Sequence, residues 1–167
     1  GGAPHPRRRP RSGRRPGHTG RMTDFPEGPA TSPGFLLWHA TLRWQRAMTD
    51  ALHPHDLTHA QFVLLASTWW LNGRDEPPSQ SRLAELTGSD PRMTSEVVRR
   101  LAAKGLIERE QDPSDSRAKV LRVTSAGAAA AVAAIGSVEA ADAAFFGPAA
   151  AAAPGALLPI LHALAER

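Results

Sequence analysis

Residues 79–124 read SQSRLAELTGSDPRMTSEVVRRLAAKGLIEREQDPSDSRAKVLRVT. The spacing predicts a short helix from Ser79 to Leu86 that buries Leu83 and Leu86, with Ala84 small enough to let a crossing helix come close. Thr87-Gly88 makes the turn, because glycine enters the left-handed conformation at no steric cost. A second helix opens at Ser89 or Asp90 with Pro91 in its first turn, runs to Lys104 and stops at Gly105. Met93, Val97, Val98 and Leu101 mark its inward face. Arg92, Thr94, Ser95, Arg99 and Arg100 are left for the outside. Two strands are expected at Leu106–Glu110 and Val120–Thr124, with Leu121 and Val123 on one face and Arg122 on the other. The connection QDPSDSRAK is polar and rich in turn formers. Helix, tight turn, helix and hairpin in that order make a winged helix-turn-helix, an arrangement that lays its second helix in the DNA major groove.

Outward from this segment the chain reads as helix. A helix from about Pro33 to Leu52 has Ser32 as its N-cap and Pro33 at its first position. Phe35, Trp38 and Leu42 form one apolar row; Leu37, Thr41, Trp44, Met48 and Leu52 form another. Two rows make a face wider than a solitary surface helix requires. A further helix, Thr58 to about Asn72, opens on a capping box of Thr58 and Gln61. After Thr124 an alanine-rich helix continues to about Phe146, where Gly147-Pro148 breaks it. A last helical stretch reaches Arg167, perturbed by Pro154, Gly155 and Pro159. The expected fold is mainly α with a small β-hairpin.

Charge is unevenly spread over the 167 residues. Residues 1–21 hold seven arginines and no acid, so the formal +4 of the chain hides a net −3 over the rest. Within that remainder Ser79–Thr124 is net +2, while the flanking segments Met22–Pro78 and Ser125–Arg167 are −3 and −2. Positive charge therefore sits on the segment assigned to DNA, a pattern consistent with that role. Residues 1–31 are rich in Pro, Gly and Arg and poor in large apolar side chains, so they are expected to be a disordered basic tail. The tail reads either as a phosphate-tracking arm or as an extraneous segment ahead of a true start at Met22.

Composition excludes several classes. With no cysteine there is no disulfide, thiolate metal site or thiol redox sensor. No apolar run approaches the ~18–20 residues of a membrane span, and the N-terminal residues lack the apolar core of a signal peptide, so a cytoplasmic location without membrane contact is expected. A Gly-rich phosphate loop, a nucleophile elbow and a His-Glu-x-x-His motif are all missing, which argues against an enzyme. No cofactor is expected.

The reading segment carries groups suited to DNA. Arg92 can bond guanine bidentately; Thr94 and Ser95 can meet bases or phosphates. Arg99 and Arg100 lie further along, toward the backbone. Ser79 and Ser81 are candidate phosphate contacts at a helix start. At the hairpin tip stand Asp115, Ser116 and Arg117. An arginine there suits a narrow minor groove, with Asp115 positioned to hold its guanidinium. The plain alternative is an ordinary exposed ion pair.

The chain resembles the MarR family of winged-helix regulators. The likeness rests on LTHAQFVLL (57–65), LAELTG (83–88), MTSEVVRRLAAKGLIER (93–109) and DPSDSRAKVLRVTSAG (112–127). The family's wing signature, Asp-x-Arg followed by leucine and threonine, falls on Asp115, Arg117, Val123 and Thr124, with Val123 in place of leucine. The resemblance implies a MarR-type domain over 32–167. Within it 57–124 is the DNA-binding lobe, and 32–56 with 125–167 are dimerisation helices. It implies a homodimer on a palindromic operator, acting as a ligand-responsive repressor. The alternative is a winged-helix protein-interaction module that has lost DNA binding. Relatives often take small aromatic ligands between the dimer helices and the DNA-binding lobe, which directs attention to Trp38, His39, Trp44 and Trp69, with Trp70 beside them. Packing is the plainer reading of tryptophans at helical spacing. His55 and His59 are four apart, but Pro54 and the helix start at Thr58 put His55 outside that helix, so no metal site is expected. The absence of cysteine separates the chain from thiol-based peroxide sensors.

Overall fold

The computed structural model describes residues 1–2, 28–113, 115 and 117–166. Most of the expected basic tail, with Met22, lies outside the described residues, as do Ser114, Ser116 and Arg167. The described chain forms two compact units, residues 1–38 and 39–167. In the first unit Pro29–Thr31, the end of the segment expected to be a disordered tail, forms one 3-10 turn closed by Ser32 N–H on the Pro29 carbonyl at 3.0 Å. It leads into helix α1, Pro33–Leu52, with the expected bounds. Phe35, Leu36, Leu37 and Trp38 at the start of α1 are all exposed.

The second unit contains the remainder of α1, then α2 (His59–Asn72), α3 (Gln80–Thr87), α4 (Pro91–Ala103), strands β1 (Ile107–Gln111) and β2 (Lys119–Val123), α5 (Ser125–Ala152) and α6 (Leu157–Ala165). It is a winged helix-turn-helix with helices on both sides. The apolar α2 packs against α3, α4, α5 and β2 and so occupies the centre. Met48, Leu52, Leu64, Leu65, Leu83, Val98, Leu101, Ile107 and Leu121 form the core around it. The capping box holds as read: Gln61 N–H donates to Thr58 Oγ1 at 3.2 Å, and Thr58 N–H donates to Gln61 Oε1 at 3.1 Å. Asn72 closes the other end in an unexpected way. Its Nδ2 donates to the Leu121 carbonyl at 3.1 Å, and its Oδ1 accepts the Val123 N–H at 2.8 Å. The side-chain amide thus pairs with β2 as a strand backbone would, fixing the hairpin to α2. Leu121 N–H also donates to the Pro78 carbonyl at 2.8 Å.

Several boundaries differ from the sequence reading. Both strands sit one residue from the expected place, pairing antiparallel as Ile107↔Val123 through Gln111↔Lys119. The cause is the base of the hairpin. Thr124 N–H donates to the Leu106 carbonyl at 3.1 Å, while the Thr124 hydroxyl donates to the Gly105 carbonyl and caps α5 at Gly127 N–H. Val120 and Leu121 are both buried, against the expected alternation, because β2 is covered by α2, α3 and α5. On α4 the inward stripe is Thr94, Val97, Val98 and Leu101, a true i, i+3, i+4, i+7 row, and Met93 is exposed. Leu86 is likewise exposed rather than buried.

Helix α5 does not break at Gly147-Pro148 but continues to Ala152. Alanine flanks favour the helix, and the Ala144 carbonyl that Pro148 leaves without a donor is at an exposed position. Gly127 on α5 is needed for close approach: a Cβ there would lie 1.9 Å from the Leu106 carbonyl oxygen. The sequence reading also missed that α5 is long and apolar enough to cross a membrane by length and composition. Its Gly127, Ala131, Ala134 and Val138 are buried in the protein core, while most of the helix surface is not.

Candidate nucleic-acid interface

The two helices of the reading head are fixed by their ends. Ser79 is the N-cap of α3, its Oγ accepting the Arg82 N–H at 3.1 Å. Ser81 is exposed on the first turn beyond it. Gly88 adopts φ 63°, and Ser89 N–H reaches the Ala84 carbonyl at 3.0 Å, so the chain reverses within two residues. Asp90 caps α4: its Oδ1 accepts from both Arg92 N–H and Met93 N–H, at 2.9 and 3.0 Å. A carboxylate thus already occupies the positive end of this helix and engages two of its terminal amides.

The exposed surface of α4 presents Arg92, Arg99 and Arg100, with Ser95 and Glu96 half-buried between them. Thr94, expected to face DNA, does not: it is fully buried and its hydroxyl donates to the Asp90 carbonyl at 2.9 Å. It belongs to the inward stripe described above. Arg92 has no ion-pair partner among the described residues, whereas Arg99 and Arg100 both close on Glu96. Hydrogen bonds from both arginines, Arg99 the stronger cause, hold the Glu96 carboxyl below its usual pKa. Beyond α4, Lys104 donates to the Asp56 carbonyl and to Asp56 Oδ2 at 2.9 Å, tying the end of α4 to the α1–α2 link.

At the hairpin tip Asp115 does not hold the Arg117 guanidinium. Its Oδ1 accepts the Arg117 backbone N–H at 2.9 Å, an Asx-turn that shapes the backbone. Ala118 N–H on the Asp115 carbonyl and Asp112 N–H on the Ala118 carbonyl, each at 3.0 Å, complete the turn. Arg117 is left exposed. Ser116 lies outside the described residues.

Trp38 and His39 are exposed on α1. Trp44 donates from Nε1 to Asp142 Oδ1 on α5 at 2.8 Å, and its ring meets His59 edge-on at 5.0 Å. Burial holds His59 below its usual pKa, with the nearby Asp142 charge opposing. Trp69 instead lines an apolar groove of about 400 Å³ with Ala66, Ser67, Trp70, Leu86 and Ile135. The Arg74 guanidinium lies 4.7 Å from the Trp70 ring centroid. His55 bonds Ser137 Oγ at 2.8 Å, and no cluster of metal-ligating side chains occurs among the described residues. Sequence reasoning missed Glu96 and Asp142. Glu96 was legible from its i, i+3 and i+4 spacing to two arginines. Asp142 had only its isolation among alanines to mark it.

With this geometry in place, the resemblances to known proteins are specific. The MarR family model matches residues 57–119. The HTH-type transcriptional regulator YdcH of Bacillus subtilis (strain 168) is 48% identical over 119 residues, 71% of this chain and 81% of YdcH. The transcriptional repressor CouR, solved on a 23-mer DNA duplex, aligns with a TM-score of 0.71 at 25% identity, over 82% of this chain and 94% of CouR. Bordetella bronchiseptica BpsR, whose DNA binding is regulated by 6-hydroxynicotinic acid, aligns with a TM-score of 0.69 at 25% identity, over 83% of this chain and 96% of BpsR. The fold, the turn at Gly88 and the relative of nearly one-half identity agree: this chain belongs to the MarR family of winged helix-turn-helix transcriptional regulators.

Proposed function

We propose that this protein is a cytoplasmic, ligand-responsive repressor that binds a palindromic operator as a homodimer. The observation that carries the reading is the exposed face of α4, where Arg92 at the N-terminal turn has no ion-pair partner among the described residues, in the part of a recognition helix that meets base edges. Arg92 would read a guanine edge in the major groove, with Ser95 beside it. Arg99, Ser79 and Ser81 would meet phosphates. Arg117, on a tip shaped by Asp115, would enter the minor groove. Thr94 has no part in contact; it seats the helix.

Dimerisation is supported by the apolar side chains left in water. On α6 these are Leu158, Ile160, Leu161 and Leu164, and the start of α1 is separately apolar and exposed. Symmetric pairing is the commonest way such surfaces are covered, and it would set two recognition helices about one DNA turn apart, ~10 bp. An aromatic effector fits the groove of Trp69 and Trp70, or the neighbourhood of Trp44, His59 and Asp142, where stacking and a polar handle coexist. CouR and BpsR make repression and an aromatic acid natural expectations. A ligand shifts such a protein only by its differential affinity for the two dimer geometries.

The test is selection of binding sites from a pool of randomised duplexes with the full chain. Enrichment of an inverted repeat with half-sites about 10 bp apart is expected. Recovery of no sequence above the starting pool overturns the reading.

A further inference from the structure

The segment from Pro91 to Lys104 carries four cations, Arg92, Arg99, Arg100 and Lys104, and one carboxylate, Glu96. Helical spacing places positions three and four residues on beside it, and both arginines turn to it. Arg99 donates from Nε to Oε2 at 3.0 Å, and from Nη2 to Oε1 and Oε2 at 2.7 and 2.8 Å. Arg100 donates from Nε to Oε1 at 2.8 Å. Arg99 and Arg100 stay in water at 70% and 61% relative exposure, and the Glu96 side chain between them is 42% exposed. Exposed pairs of this kind add little to stability. A negative charge on a surface that meets a polyanion has a larger consequence.

We propose that Glu96 is a specificity-setting residue: by holding Arg99 and Arg100, it weakens binding to arbitrary DNA more than binding to the operator. The inference rests on the DNA-binding reading above. Non-specific binding is almost wholly the neutralisation of phosphates by cations. With Glu96 in place the trio brings a net charge of +1 to the backbone instead of +2. On arbitrary DNA nothing offsets the approach of a carboxylate to phosphates. On the operator, base contacts by Arg92 fix the register. The N–H groups that Arg99 and Arg100 keep free, those on Nη1 and on the Nη2 of Arg100, can then meet phosphates without leaving Glu96. Repulsion built against the wrong partner is a general route to specificity.

The experiment uses the full chain and two duplexes of equal length, the best one selected by the wild type and a scrambled version. Fluorescence anisotropy titrations between 50 and 200 mM salt compare wild type, Glu96→Gln and Glu96→Asp. Glu96→Gln is expected to bind the scrambled duplex about tenfold tighter, with a smaller gain on the selected one and a salt slope steeper by about one per bound protomer. Glu96→Asp, which keeps the charge, should stay near wild type. Thermal melts of all three proteins separate this from a folding defect, since a merely structural role would not steepen the salt slope. Unchanged scrambled affinity and slope overturn the proposal. So does a greater loss on the selected duplex, which would make Glu96 a base-reading acceptor. If the wild type itself selects no duplex, the DNA-binding reading falls and this proposal falls with it; a failure of Glu96 alone leaves the wild-type selection intact.

Discussion

Arg92 and Arg117 are two cations of the candidate interface that no carboxylate engages among the described residues, and they should respond differently to truncation. Arg92→Ala is expected to cost about 1–3 kcal/mol on the selected duplex and to relax preference at one position of each half-site. Arg117→Ala is expected to cost a similar ~1–3 kcal/mol, with the loss concentrated on sites whose flank has a narrow minor groove. Titrations against a panel of single-position operator variants check both; a uniform loss on all sequences for Arg92→Ala would remove its base-reading role. These two residues were legible because arginines at a helix start and at a turn tip have few structural uses. Thr94 and Met93 were not. The sequence alone leaves α4 free to rotate by one position, and only the packing of the Thr94, Val97, Val98 and Leu101 stripe against its neighbours chooses. His59 makes a third residue-scale case. Its pKa is lowered in the folded protein, so the unfolded chain binds more protons between the folded value and about 6.5. Stability should therefore rise with pH through that window, be complete above it, and be lost as pH falls through it. Thermal midpoints of wild type and His59→Gln between pH 5 and 8 test the sign: the wild type should lose more on acidification, and equal losses would refute the account.

At the level of elements, helix ends were well marked and strand ends were not. Caps are local chemistry. The Thr58/Gln61 box, Asp90-Pro91 and the left-handed Gly88 are read from a few adjacent residues, and each stands where expected. The strands are bounded by remote partners, Asn72 on α2 and Pro78 before α3, which no local pattern discloses. The same holds for α5. Its alanines announced a helix, but not that Gly127 must lie against Leu106 or that Pro148 would be tolerated at an exposed turn. Two glycines on this one helix give a paired prediction. Gly127→Ala places a methyl within 1.9 Å of a backbone oxygen, and the resulting overpacking should cost ~1–3 kcal/mol or more. A methyl at Gly136 would meet nothing within 4 Å, so Gly136→Ala should stabilise the helix by roughly 0.5–1 kcal/mol. Denaturant midpoints moving in opposite directions bear this out; equal shifts would mean that α5 does not dock as closely as the structure shows.

For the molecule as a whole, what the sequence could disclose was an excess. More apolar helix surface was predicted than one small core can cover, and α6 accordingly leaves Leu158, Ile160, Leu161 and Leu164 between 38% and 67% exposed. Which face pairs with what lies beyond local pattern, because association depends on shape presented by several helices at once. Leu161→Glu combined with Leu164→Glu puts two carboxylates on α6 at exposed positions outside the core cluster, so the lone chain should fold as before, with an unchanged helical spectrum. Burying those charges against a second copy, without partners, would cost several kcal/mol per ion, enough to dissociate a symmetric pair. Light scattering coupled to size-exclusion chromatography should then show the wild type at twice the chain mass and the double variant at the chain mass. Binding to the full inverted repeat should fall toward the affinity of one half-site, because the second recognition helix no longer arrives tethered to the first. A double variant that stays dimeric would move the interface off α6, and a wild type that is already a monomer would remove the two-fold operator from the reading while leaving the chemistry of Arg92 and Arg117 to be tested on its own.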